Sequence, residues 1–144
     1  MRSEPIPVQR LQVWQRSVNL ALECYKLSGE LPREEKFALT SQIRRAATSV
    51  PSNIAEGYGR WNARDFARFL AIASGSLREL ETHLIIANRL GYLSNVSTEP
   101  TFRTIDELAR MLYRMRLRVS ENATRAEELG RPHNRKASQA LPGS

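Results

Sequence analysis

Residues Leu39 to Leu90 read LTSQIRRAATSVPSNIAEGYGRWNARDFARFLAIASGSLRELETHLIIANRL. Two helical patterns joined by a glycine turn fill this stretch, and they specify an architecture before they say anything about chemistry. In the first, Leu39, Ile43, Ala46, Val50 and Ile54 keep a near-heptad spacing, which suits a helix packed lengthwise against others. Pro51 interrupts it. Having no N–H for the carbonyl of Ala47, Pro51 predicts a kink, or else a break and restart. Gly57 and Gly59 close the segment, and Asn62 is a good N-cap for the next helix, with Asp65 placed to complement its dipole. There Phe66, Leu70, Ala73, Leu77, Leu80, Leu84 and Ala87 alternate steps of 4 and 3 until Gly91 supplies the stop. A run of about 25 residues at 1.5 Å each gives a rod roughly 38 Å long.

Working outward, Leu11, Trp14, Val18, Ala21 and Tyr25 show the same rhythm and predict a first helix ended by Gly29 and Pro32. The second helix is expected to begin between Arg33 and Thr40. After a polar loop from Tyr92 to Pro100, the fourth is expected to start between Thr98 and Thr104, with Thr104 and Glu107 as a capping box. Its stripe is Ile105, Leu108, Leu112, Met115, Val119, Asn122 and Ala126, and Gly130 with Pro132 ends it. Residues 1–7 form an N-terminal extension, 8–130 the helical domain, and 131–144 a basic tail without apolar periodicity, expected to be disordered. Four amphipathic helices with short connections and no strand-like alternation predict an all-α, antiparallel up-down-up-down four-helix bundle. Heptad spacing implies axes crossing at about 20°.

The chain of 144 residues is one domain's worth and can bury a core without disulfide or metal. Its one cysteine, Cys24, falls in a helical pattern and reads as a small core residue. The start, MRSEPIPVQR, lacks the apolar run of a signal peptide and no stretch is apolar enough to span a bilayer, so a cytoplasmic protein with no membrane partner is expected. The net charge is +7, from 19 Arg and 3 Lys against 15 acids. Arginine's planar five-donor fork suits phosphate better than lysine's point charge.

A bundle invites a di-iron reading, which needs Glu-x-x-His on two helices. Glu79 and His83 are four apart, and His83 is the only histidine within residues 8–130; no metal and no cofactor are expected. Ser49, Ser74 and Ser76 have no histidine base near in sequence, so no catalytic residue and no enzyme are expected either. On the second helix Gln42, Arg45, Ser49, Asn53 and Glu56 line one side at steps of 3, 4, 4 and 3. They read as a solvated face, a ligand-binding line or, the reading we favour, a hydrogen-bonded seam between helices or between subunits. On the third helix Phe69, Ile72, Ile85 and Ile86 lie off the main stripe, more apolar girth than one core needs, which predicts self-association. Tyr58, Trp61, Phe66 and Phe69 gather at the turn between these helices, to plug the core, line an oligomer contact or stack on bases. On the fourth helix Arg103, Arg110, Arg114, Arg116 and Arg118 outweigh Asp106 and Glu107 by 5 to 2. Closely spaced arginines along a rod can follow a nucleic-acid backbone, though a solvated basic face is the plainer alternative.

The motifs Leu39 to Ala47, Ser49 to Gly57, Phe66, Phe69-Leu70, Ala73, Gly75-Ser76-Leu77, Glu79 to Thr82 and Leu90 to Leu93 resemble the bacterial four-helix-bundle family first noted as reading frames inside 23S rRNA intervening sequences. The likeness covers roughly residues 10 to 120; the tail after Gly130 looks unlike a family feature. It implies a ring-like homopentamer, no catalytic residues, and kinship with the accessory proteins of diversity-generating retroelements, which bind nucleic acid and a reverse transcriptase. The expected function is therefore a non-enzymatic oligomer that binds RNA or DNA through phosphates without strong sequence preference. Arg110, Arg114 and Arg118 are the first expected contacts, supported by Arg44, Arg135 and Lys136. The alternative is an oligomeric scaffold or accessory subunit for a partner protein such as a reverse transcriptase, its basic charge incidental.

Overall fold

The computed structural model describes residues 7–132; the expected contacts Arg135 and Lys136 lie outside them. Four helices carry the fold: α1 (Gln12–Ser28), α2 (Leu39–Tyr58), α3 (Ala63–Arg89) and α4 (Asn95–Gly130), with 3-10 turns at Val8–Arg10 and Arg33–Glu35. Among the described residues there is no strand. Helix α2 packs on α1 and α3, and α4 packs on α3 and α1, so all four surround one core.

Local chemistry explains most of the boundaries. The Asn62 carboxamide oxygen accepts from the Asp65 N–H at 2.8 Å, satisfying one of the orphan donors at the start of α3. At its far end Gly91, at φ 81°, lets its own N–H reach the Asn88 carbonyl and the Tyr92 N–H reach that of Ala87, both at 3.0 Å. That pair of bonds is a Schellman stop, which needs a left-handed residue. Helix α2 has no capping side chain at Ala38; instead Glu35 Oε2 accepts from the Leu39 N–H at 3.2 Å. The other oxygen of Glu35 accepts from the Tyr92 hydroxyl at 3.2 Å. Burial, that hydrogen bond and the charges of Glu35 and Glu34 raise the Tyr92 phenol above its ordinary pKa.

The buried stripes of α2 and α3 match expectation, from Ile43 to Ile54 and from Leu70 to Ala87. Pro51 leaves α2 one continuous helix rather than two. Elsewhere three expectations need correction. Helix α4 starts at Asn95, with Ser94 Oγ accepting from the Ser97 N–H at 3.1 Å. Thr104 does not cap it; its hydroxyl donates to the Pro100 carbonyl one turn back, at 3.1 Å. Pro100 is tolerated early in the helix because the backbone bond it forfeits is that to Val96, a residue 84% exposed at the surface. The far end of α4 also outruns the core: Leu112 is buried, Met115 and Val119 are half-buried, and Asn122 and Ala126 are exposed.

The third correction concerns α1. Of the expected stripe only Ala21 is buried; Leu11, Trp14 and Val18 are half-buried and Tyr25 is exposed. The side that enters the core is Val13, Ser17, Leu20, Cys24 and Leu27. Ser17 hid this line in the sequence. Its hydroxyl donates to the Trp14 carbonyl at 2.7 Å, so a polar residue sits in the core without an unmet hydrogen bond.

Cys24, on that line, is fully buried. Burial first, and the charge of Glu23 second, push its thiol up to about 12 from an ordinary 9.0. The folded chain thus holds this proton more tightly than the unfolded chain. Stability contributed by Cys24 is intact below pH 9.0 and declines as pH rises toward about 12, by at most about 1.4 kcal/mol per unit. Denaturation midpoints of the wild type and Cys24→Ala measured from pH 8 upward are expected to converge, and parallel curves would contradict this assignment.

Candidate nucleic-acid interface

Arg110, Arg114 and Arg118 recur every fourth residue on α4, and all three are exposed. A depression of 480 Å³ on the side toward α3 is lined by Arg78, Asp106, Ala109, Arg110, Tyr113 and Arg114. On the side toward α1, Arg114 and Arg118 line a second one of 340 Å³ with Leu11, Gln12 and Met115. Arg114 therefore stands on the crest between two grooves. Arg116 joins Arg78 and Tyr113 in a third, of 330 Å³. The result is a ridge of three arginines, Arg110, Arg114 and Arg118, with the Tyr113 ring, 61% exposed, beside it and Arg116 on the flank toward α3.

These arginines also lack anionic partners. Among the described residues none of Arg110, Arg114, Arg116 and Arg118 is within an ion-pair distance of a carboxylate. Other arginines are neutralised: Arg103 by Glu99 at 2.8 Å, Arg16 by Glu107 at 2.9 Å and Arg78 by Glu81 at 3.2 Å. Arg103, at the start of the expected basic run, thus contributes little free charge. An unpaired guanidinium keeps its five donors for an incoming anion.

Arg44 does not belong to this ridge. It lies on α2, where its Nε donates to Ser28 Oγ at 2.9 Å and its guanidinium covers the Tyr25 ring at 4.9 Å. Two participants were missed in the sequence. Tyr113 was legible, being three residues from Arg110 on one helix, whereas Arg78 joins only because α3 packs on α4.

The polar line on α2 divides. Its centre bridges helices of one chain: Ser49 Oγ and Ser76 Oγ are 2.8 Å apart, and Asn53 Nδ2 donates to the Ser49 carbonyl at 2.8 Å and to its Oγ at 3.0 Å. Gln42, Arg45 and Glu56 are exposed, Glu56 accepting from Arg60 at 2.8 Å. The aromatic group divides too. Phe69 is buried, Tyr58 and Phe66 meet edge to face with centroids 6.0 Å apart, and Trp61 is fully exposed. Glu79 and His83 approach to 3.4 Å, but among the described residues no three His, Cys, Asp or Glu side chains gather as a metal set would require. No described helix is long and apolar enough to cross a membrane.

The family model for the 23S rRNA-intervening sequence protein matches residues 9–114. The chain belongs to this family. A similar solved structure comes from Bacteroides thetaiotaomicron, described as a protein with unknown function from the S23 ribosomal protein family. It is 28% identical with a TM-score of 0.67, over 72% of this chain and 96% of that one. No curated protein matches the chain. Because the family model stops at residue 114, Arg110 and Arg114 lie within the shared region, whereas Arg116, Arg118 and the rest of α4 extend beyond it.

Proposed function

We propose that this chain is a non-enzymatic, self-associating, antiparallel up-down-up-down bundle that binds RNA or DNA through phosphates along α4. The observation that carries the reading is the row of three exposed arginines, Arg110, Arg114 and Arg118, on one side of a single rod, none of them in an ion pair among the described residues. Successive phosphates track such a rod, and each neutralised phosphate releases counterions, which drives binding without base readout. An antiparallel order is supported by which residues meet: Ser28 with Arg44, Ser49 with Ser76, Asn88 with Thr98, and Arg16 with Glu107.

Self-association is supported by two apolar surfaces on different sides of the bundle. One is a groove of 510 Å³ between α1 and α2, lined by Trp14, Val18, Leu22, Tyr25, Pro51 and Ala55 among others. The second is the outer side of α3, where Ile72 and Ile86 lie, with Ile85 on another flank of the same helix, each more than a third exposed. Unlike surfaces that meet head to tail generate rings when the rotation closes, in keeping with the homopentamer that the family resemblance implies. A ring would also repeat the arginine ridge, so that weak contacts sum. The same groove favours the alternative, a cytoplasmic scaffold for a partner protein such as a reverse transcriptase.

Titrating the protein against structured RNA and duplex DNA in rising salt, with mass from light scattering on the same sample, tests the reading. The mass is expected to be a multiple of 16.4 kDa, and log affinity to fall against log salt with a slope of about −3 or steeper. A well-formed oligomer that binds neither nucleic acid even at low salt would defeat it and leave the scaffold.

A further inference from the structure

Where α1 ends and α2 begins, a shallow cavity of 420 Å³ is lined by Lys36, Arg44 and Arg45, by Tyr25 and Phe37, and by Thr40, Ser41 and Thr48. Its volume lies in the range of small-ligand sites, roughly 300 to 1,000 Å³. Three cations and no carboxylate line it, and among the described residues none of the three is in an ion pair. Arg44 is held in place: Tyr25 lies under its guanidinium at 4.9 Å, and its Nε donates to Ser28 Oγ at 2.9 Å. Ser28 is itself 1% exposed, and its hydroxyl donates to the Tyr25 carbonyl at 3.0 Å. Fixing an arginine from below costs side-chain entropy in advance, which an anion arriving from above does not then have to meet.

Phe37 is the second anomaly. It lies in the turn before α2 with 89% of its surface exposed, although burying such a ring is worth about 1.5–3 kcal/mol. Lys36 Nζ stands 5.4 Å from its centroid. An exposed ring beside cations is how single nucleotides are held, the base stacking on the ring and the phosphate meeting the charges.

We propose that this cavity binds a nucleoside phosphate, with the base on Phe37 and the phosphate held by Arg44, Arg45 and Lys36. The site is separate from the α4 ridge and does not depend on it. An unpaired nucleotide within a strand and a free nucleotide share this chemistry, so both serve as probes.

Amide NMR spectra of the labelled full chain, titrated with adenosine monophosphate, a short oligothymidylate and inorganic phosphate, test the proposal. Saturable shifts are expected between residues 36 and 48. They should be lost in Arg45→Glu, weakened about tenfold in Phe37→Ala, and unchanged in the triple variant Arg110→Glu, Arg114→Glu, Arg118→Glu. A response to the strand at lower concentration than to the mononucleotide assigns the site to strands; the reverse assigns it to free nucleotide. The proposal is overturned if neither probe shifts these amides, or if phosphate alone reproduces the response with Phe37→Ala indifferent. It is equally overturned if Phe37→Ala lowers the oligomer mass and leaves nucleotide binding intact. Since the α4 triple variant retains this site, failure of the ridge and failure of the cavity are read separately.

Discussion

Gly57→Ala is expected to lower the thermal midpoint by about 3–8 °C, while Gly75→Ala, the same chemical change one helix later, is expected to raise it slightly. A methyl added at Gly57 would stand 2.6 Å from Phe69 Cβ and 3.0 Å from Phe66 Cδ2. The first neighbour is an atom fixed to the α3 backbone, so a rotamer change cannot relieve the contact and the end of α2 must move off α3. Overpacking of this kind costs about 1–3 kcal/mol, sometimes more. Replacing a helical glycine by alanine returns at most about 1 kcal/mol, which leaves a net loss at Gly57. At Gly75 nothing lies within 4 Å of the added methyl, so only the gain remains. One kcal/mol corresponds to a few degrees in a chain of this size. Thermal unfolding of the two variants side by side decides the matter, and equal stability would show that α2 and α3 do not approach so closely at Gly57. Gly57→Val should be worse than alanine, because its branched carbon adds bulk on the same side.

The second large effect is expected on binding. Converting Arg110, Arg114 and Arg118 to Glu changes the charge of each chain by six, from three gained negatives and three lost positives. It should lower nucleic-acid affinity at about 50 mM salt on the order of a thousandfold and reduce the salt slope by about 3. All three side chains are exposed, and none is in an ion pair among the described residues, so folding and oligomer mass should be unaffected. Arg103→Glu is the control. Already bound to Glu99 at 2.8 Å, Arg103 should matter several-fold less. Were the triple variant to bind as tightly as the wild type, the ridge would have no part in binding; were Arg103→Glu to lower affinity about tenfold, one third of the triple variant's loss on a logarithmic scale, the effect would be one of total charge rather than of this surface.

These expectations rest unequally on sequence. Helix α3 could be read residue by residue: Asn62 opens it, Gly91 closes it, and the stripe from Leu70 to Ala87 is buried as its spacing requires. All of these signals act within about two helical turns, over which sequence distance and spatial distance coincide. The start of α4 failed because Pro100 and Thr104 looked like an opening, while the cap that forms is that of Ser94. Both are sound local signals. Choosing between them depended on the loop length that lets Asn88 Nδ2 reach Thr98 Oγ1 at 2.9 Å.

The site was legible to a smaller extent. Arg110, Arg114 and Arg118 form a row by helical spacing alone, but only tertiary packing brings Arg78 beside them, leaves Glu107 with Arg16, and puts Arg44 on a different face with Tyr25 and Ser28. The sequence by itself therefore determined four helices, their approximate ends, the buried faces of α2 and α3, and the basic ridge, because caps, helical period and charge are written in neighbouring residues. Only the tertiary structure decided that α1 turns Ser17 and Cys24 inward and Trp14 and Tyr25 toward an open groove. It also decided that α2 and α3 touch at a glycine, and which arginines, among the described residues, are in no ion pair. Each of these depends on volumes and charges presented by another helix, distant in the chain and adjacent in space.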